Sequence, residues 1–148
     1  MMTFNRFIIS ALLMLFLSAS FSASFSVSAA DPTRYRVLLQ VSEDSVDRLN
    51  VALNNAKHLA DAFGPEHVEI EIVVFGAGVQ TLKYYSPFPI ADKVKDVTAL
   101  GVRIVVCEKA LREAKLKPAD MLTQVRYVPY GVAEIVEKQT LGWSYIRP

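Results

Sequence analysis

Short runs of β-branched and apolar residues alternate with segments whose apolar positions recur at helical spacing, and few folds accommodate that alternation. Tyr35 to Val41 (YRVLLQV) reads as a strand buried on both faces. Val46 to Phe63 follows, with Leu49, Leu53, Ala56, Ala60 and Phe63 on one helical stripe. Asp44 is the expected N-cap, and Gly64-Pro65 stops the helix. Val68 to Phe75 is a second strand. Its early half alternates, with Glu69 and Glu71 on one side, which suits an exposed sheet edge. Val79 to Tyr85 can form a short helix, and Ile90, Val94 and Val97 mark another, closed by Gly101. Val102 to Cys107 (VRIVVC) is a third strand, leading into a helix from Glu108 to Lys115. Pro118 to Leu122 is a short helical turn with proline at its first position. Arg126 to Val128 is a short strand. A helix carrying Val132, Ile135 and Val136 ends at Gly142, and Trp143 to Ile146 closes the chain as a terminal strand. This order implies a single α/β domain with a mostly parallel sheet and helices on both faces.

Residues 1–30 stand apart from this pattern. Arg6 is the only charged residue before Asp31, and an apolar run of 11 residues from Phe7 to Leu17 follows it. Ser28-Ala29-Ala30 then places small residues at the −3 and −1 positions. This is the pattern of a signal peptide cleaved after Ala30, and the run is shorter than the ~20 residues a spanning helix needs. The expectation is an exported, periplasmic protein with no membrane association once the signal is removed. The remaining 148 − 30 = 118 residues fit one domain. The signal carries one of the 16 basic residues and none of the 15 acidic ones, so the mature chain has zero net charge. A neutral domain without a basic cluster argues against nucleic acid as a partner.

Cys107 is the only cysteine, so no internal disulfide can form in an oxidising compartment. In a parallel α/β domain, ligands bind outside the carboxyl ends of the strands. Three loops belong to that rim: Gln40-Val41-Ser42, Gly76-Ala77-Gly78 and Cys107-Glu108. Cys107 at a helix N-terminus can be a thiolate favoured by the helix dipole, able to carry sulfur. It can instead be a small inert hydrophobe at a strand end. Glu108 opposes ionisation of the thiol if it lies close in space, and Lys109 could counter it. Gly76 and Gly78 could cradle an anion with backbone N–H groups or simply turn the chain. Asn54 or Asn55 could bridge to a rim loop, with plain exposure as the alternative. His58 should face solvent, and two separated histidines with one cysteine give no metal-ligand spacing. Tyr84, Tyr85 and Phe88 could form a lid, a subunit contact or a loop over its own core. Asp120 suits a local helix-start hydrogen bond.

The ordered set Gln40-Val41-Ser42, Ala52-Leu53-Asn54-Asn55, Val68-Glu69-Ile70-Glu71, Gly76 with Gly78, Val106-Cys107-Glu108, Ala119-Asp120-Met121-Leu122, Val128-Pro129, Gly131-Val132 and Gly142 to Ile146 resembles the exported branch of the DsrE/DsrF-like family. The resemblance implies a parallel sheet of about five strands in a flavodoxin-like arrangement. It also implies assembly as a trimer or hexamer, and a sulfur-relay cysteine at the position of Cys107. Ala77 departs from the proline common in this branch's glycine loop. The resemblance implies at most a sulfur carrier or transferase-like activity, with no cofactor and with a thiol-bearing protein or small sulfur compound as partner. The competing expectation is a non-catalytic oligomeric binding or assembly protein with a structural Cys107.

Overall fold

The computed structural model describes residues 34–148, so the expected signal peptide and its cleavage point lie outside the described residues. The strands β1 (Tyr35–Val41), β2 (Val68–Val74), β3 (Arg103–Cys107), β4 (Arg126–Val128) and β5 (Ser144–Ile146) form one sheet. Their spatial order is β4-β3-β2-β1-β5, and every pairing is parallel. The helices α1 (Val46–Phe63), α2 (Phe88–Ala99), α3 (Glu108–Glu113) and α4 (Gly131–Thr140) connect them. The expected α/β architecture is present, with layers of helix on both sides of the sheet.

Alternation along the strands builds two cores. Val37, Leu39 and Val41, Ile70, Ile72 and Val74, and Ile104 and Val106 point to one face. There they bury Leu49, Leu53 and Ala56 of α1, Ile90, Val94 and Val97 of α2, and Ala110 and Leu111 of α3. Leu38, Val73 and Val105 point to the other face, against Ile135 of α4 and Trp143. The cap of α1 is Ser45, not Asp44. Ser45 immediately precedes the first helical residue, and its hydroxyl accepts the Arg48 N–H at 3.3 Å; Asp44 stands one residue too early. Gly64 ends α1 with φ +83°. The expected short helix begins earlier, as a 3-10 run over Gly76–Leu82.

β2 is a central strand, not the edge strand its early alternation suggests, because β1 and β3 pair with its two sides. Glu71 is 2% exposed. Burying a carboxylate costs several kcal/mol unless it is paired. Here the partners come from far along the chain: Arg103 Nε of β3 donates to Glu71 Oε2 at 2.9 Å, and Lys138 Nζ of α4 lies 3.2 Å from the same oxygen. Arg103 Nη1 also holds Glu69 at 2.8 Å. Trp143 covers the cluster, its ring facing Arg103 at 5.5 Å and Lys138 at 4.7 Å.

The connections step from β1 to β2, β3 and β4 in one direction, with α1, α2 and α3 on one face. The chain then crosses the opposite face through α4 and lays β5 beside β1. β3 and β4 are neighbours whose outgoing helices lie on opposite faces. The crevice at their carboxyl ends is therefore the topological switch point, where open α/β sheets bind ligands. In the flavodoxin strand order this point falls between β1 and β3.

Candidate functional site at the β3/β4 switch point

Cys107 occupies that crevice. It is the last residue of β3, pairs in register with Val128 of β4, and is the N-cap of α3. It is 7% exposed and belongs to the core on the face of α1, α2 and α3. Its Sγ lies 3.9 Å from the Pro129 carbonyl oxygen, a long, weak S–H donor contact. The same carbonyl accepts the Lys109 N–H at 3.3 Å, tying the start of α3 to the loop after β4.

The opposite wall is the first turn of α4. A Cβ placed on Gly131 would meet Phe75 Cβ at 2.9 Å and Cys107 Cβ at 3.2 Å. Only glycine lets the helix start this close to the cysteine. Neither α3 nor α4 has a side-chain cap on its N-terminal N–H groups. The first N–H groups of the ten-residue α4 therefore stand beside the crevice without a capping side chain, and its first turn carries the acidic Glu134.

A pocket of about 330 Å³ opens over the cysteine, lined by Phe75, Gly76, Cys107, Lys109, Ala110, Glu113, Tyr130, Gly131 and Val132. Cys107, Ala110 and Gly131 are its buried members, and Lys109, Glu113, Tyr130 and Val132 are exposed. Lys109 and Glu113 face each other as an i, i+4 ion pair along α3. The hydrogen bond and charge of Glu113 push the Lys109 ammonium above its ordinary range.

The other sequence candidates separate. Gly76 lines the pocket and has φ +54°. The Gly78 N–H is already donated, to the Ser42 carbonyl at 3.2 Å and the Phe75 carbonyl at 3.1 Å. A Cβ on Gly78 would lie 2.8 Å from the Val41 carbonyl oxygen, so this glycine allows two rim loops to pack together. The Ser42 hydroxyl accepts from Gln40 Nε2 at 3.2 Å, within its own loop. Glu108 is not among the pocket residues; its carboxylate lies 3.8 Å from Arg112 Nη1 on the exposed side of α3. Asn54 is at a different place, where its Oδ1 accepts from Lys93 Nζ of α2 at 3.0 Å. It bridges two helices, not a rim loop.

Asp120 accepts the Lys117 N–H at 2.7 Å, a local helix-start bond as expected. His58 is exposed. Tyr84 and Tyr85 are 64% and 62% exposed and pack edge-on against each other, so they do not fold over the core. Among the described residues no group of three or more His, Cys, Asp or Glu is placed to hold a metal. No helix among them is long and apolar enough to cross a membrane.

Sequence reasoning missed Phe75, Lys109, Ala110, Glu113, Tyr130, Gly131 and Val132 as pocket residues. The signal was present in Val128-Pro129-Tyr130-Gly131, a strand exit leading straight into a helix. That exit is a fourth rim loop, and β4 brings it beside Cys107.

The family model described as the DsrE/DsrF-like family matches residues 36–148. A solved structure of a protein of unknown function, MTH1491 from Methanobacterium thermoautotrophicum, is 36% identical, with a TM-score of 0.70. The match covers 77% of this chain and 99% of that one. BT1422 from Bacteroides thetaiotaomicron, a conserved protein of unknown function, shares the fold with a TM-score of 0.56 at 13% identity. There the match covers 76% of this chain and 94% of the other. No curated protein matches the chain.

Proposed function

Because the chain belongs to the DsrE/DsrF-like family, whose membership supports a sulfur-relay-type function, we propose that Cys107 carries sulfane sulfur as a persulfide. The observation that carries this reading is the placement of Cys107 at the β3/β4 switch point, in a pocket open to a small molecule and against the uncapped start of α4. The Cys107 thiolate attacks the outer sulfur of a donor R–S–SH. The donor S–S bond breaks, R–S⁻ leaves, and Cys107 holds the new S–S bond as Cys–S–SH. An acceptor thiolate then attacks the outer sulfur and returns Cys107 to the thiolate. No net oxidation occurs, since the sulfane sulfur moves with its oxidation state unchanged. The acceptor is a thiol-bearing protein or small thiol.

Incubation with a persulfide donor followed by intact mass measurement tests the reading. Wild type should gain about 32 Da, one sulfur atom, and Cys107→Ser should not. A wild type that gains nothing overturns it. Burial of Cys107 favours a second reading, a binding or assembly protein with an inert core thiol. That reading predicts slow alkylation of native Cys107 near neutral pH and full biological activity in Cys107→Ala.

The proposal extends to location and assembly. The pattern of residues 1–30 supports export to the periplasm, with a mature N-terminus at Asp31 that N-terminal sequencing would read. Exposed Val132, Val136 and Leu141 on and after α4 support a homo-oligomer, trimeric or hexameric, checked by native mass. A mature monomer at micromolar concentration would overturn that part.

A further inference from the structure

The sulfur donor can be narrowed by the charge and chemistry of the pocket. Beside the thiol, the lining includes Phe75, Ala110, Tyr130 and Val132. Lys109 and Glu113 are the only charged residues among those lining it, and they are paired to each other. The lining is therefore neutral. A cation that would draw a dianion inward has a carboxylate bonded to it, and that carboxylate repels the same dianion. Apolar side chains above the sulfur also give an oxyanion little in place of the water it must shed, beyond the backbone N–H groups at the start of α4. The volume, about 330 Å³, is at the small end of ligand sites.

We propose that this pocket selects organic persulfides with an apolar alkyl or aryl body, taken as the neutral R–S–SH, and that Glu113, by neutralising Lys109, excludes oxyanionic donors such as thiosulfate. This rests on the persulfide-carrier reading of Cys107. With an aryl persulfide the ring lies against Phe75 and Val132, the outer sulfur meets Cys107, and the organic thiolate leaves through the mouth past Lys109. With thiosulfate the same attack would release sulfite, a dianion, against apolar side chains and beside the Glu113 carboxylate. Glu113 thus acts as a specificity-determining residue without touching the reacting atoms.

The test compares benzyl hydropersulfide, 4-carboxybenzyl hydropersulfide and thiosulfate as donors to the mature protein, following the sulfur adduct by intact mass. Each rate is divided by that of N-acetylcysteine with the same donor, which removes intrinsic reactivity. The normalised order expected is benzyl, then carboxybenzyl, then thiosulfate. Glu113→Gln frees Lys109 and should raise the thiosulfate rate about three- to tenfold, and the benzyl rate hardly at all, with the gain shrinking as salt is added. Lys109→Gln, which leaves Glu113 alone, should slow thiosulfate further. A wild type that takes thiosulfate as readily as benzyl hydropersulfide overturns the selectivity but leaves Cys107 a sulfur carrier. So does a Glu113→Gln protein with unchanged thiosulfate rate. A protein labelled by none of the three donors overturns the carrier reading itself.

Discussion

Gly131 and Cys107 approach so closely that a Cβ on the glycine would lie 3.2 Å from the Cβ of the cysteine. Phe75 presses from the third side at 2.9 Å. These three residues come from the exits of β2, β3 and β4, and their contact fixes how near the start of α4 stands to the sulfur.

Gly131→Ala forces α4 away from that contact. Overpacking costs about 1–3 kcal/mol, against a gain of up to ~1 kcal/mol for alanine over glycine in a helix. The net expectation is a destabilised protein with a lower urea midpoint. Alkylation of Cys107 should also become faster, because the wall over the thiol has lifted. An unchanged midpoint and unchanged alkylation rate would show that the contact relaxes freely.

Glu71→Ala should be among the most damaging single changes outside the apolar core. It leaves Arg103 and Lys138, whose side chains are 30% and 19% exposed, facing each other without their shared carboxylate. Removing one partner of a buried pair costs about 3 kcal/mol or more. Lys57→Ala, which breaks an exposed i, i+4 pair with Asp61, should change stability by less than about 0.5 kcal/mol. Urea denaturation of both variants checks the contrast.

Acid should weaken the same cluster. Partial burial pushes the Glu69 carboxyl up, but the hydrogen bond and charge of Arg103 outweigh it and hold it below its ordinary value near 4.5. A carboxyl with a lowered folded-state value stabilises the protein above the unfolded-state value and loses that contribution as pH falls through the lowered one. The unfolding midpoint should therefore drop from about pH 4.5 downward. Glu69→Gln should show a shallower drop over that interval, and an identical slope would remove Arg103–Glu69 as a contributor.

Ser45→Ala should cost about 1 kcal/mol through loss of the hydroxyl that accepts the Arg48 N–H. Asp44→Ala should cost little. Thermal unfolding of the two variants separates the real cap from the residue beside it.

The strands and helices were legible because their apolar residues follow local periods. Leu49, Ala56 and Ala60 on α1, or Ile104 and Val106 on β3, announce their burial within a few positions. The central place of β2 was not legible. Glu69-Ile70-Glu71 reads locally as a half-exposed edge, and its neutralising charges arrive 32 residues later in Arg103 and later still in Lys138. The site divides in the same way. Cys107 announced itself as a lone thiol at a strand end. Its walls did not, since Tyr130 and Gly131 reach it only through the pairing of β4 with β3. Asn54 shows the reverse error: a polar residue in an odd helical context, explained by Lys93 of the neighbouring helix.

The crossover that carries α4 over the sheet and sets β5 beside β1 links two distant places through one continuous segment. At its start that segment walls the cysteine, and at its end it hydrogen-bonds the strand at Val37 to Leu39. If it opens locally, β1 to β4 can stay paired while the thiol and the terminal strand are uncovered together. Amide exchange within Ser144–Ile146 and alkylation of native Cys107 should then report the same opening free energy and respond in parallel to denaturant. Access to the sulfur would be governed by a segment whose far end anchors at the opposite edge of the sheet.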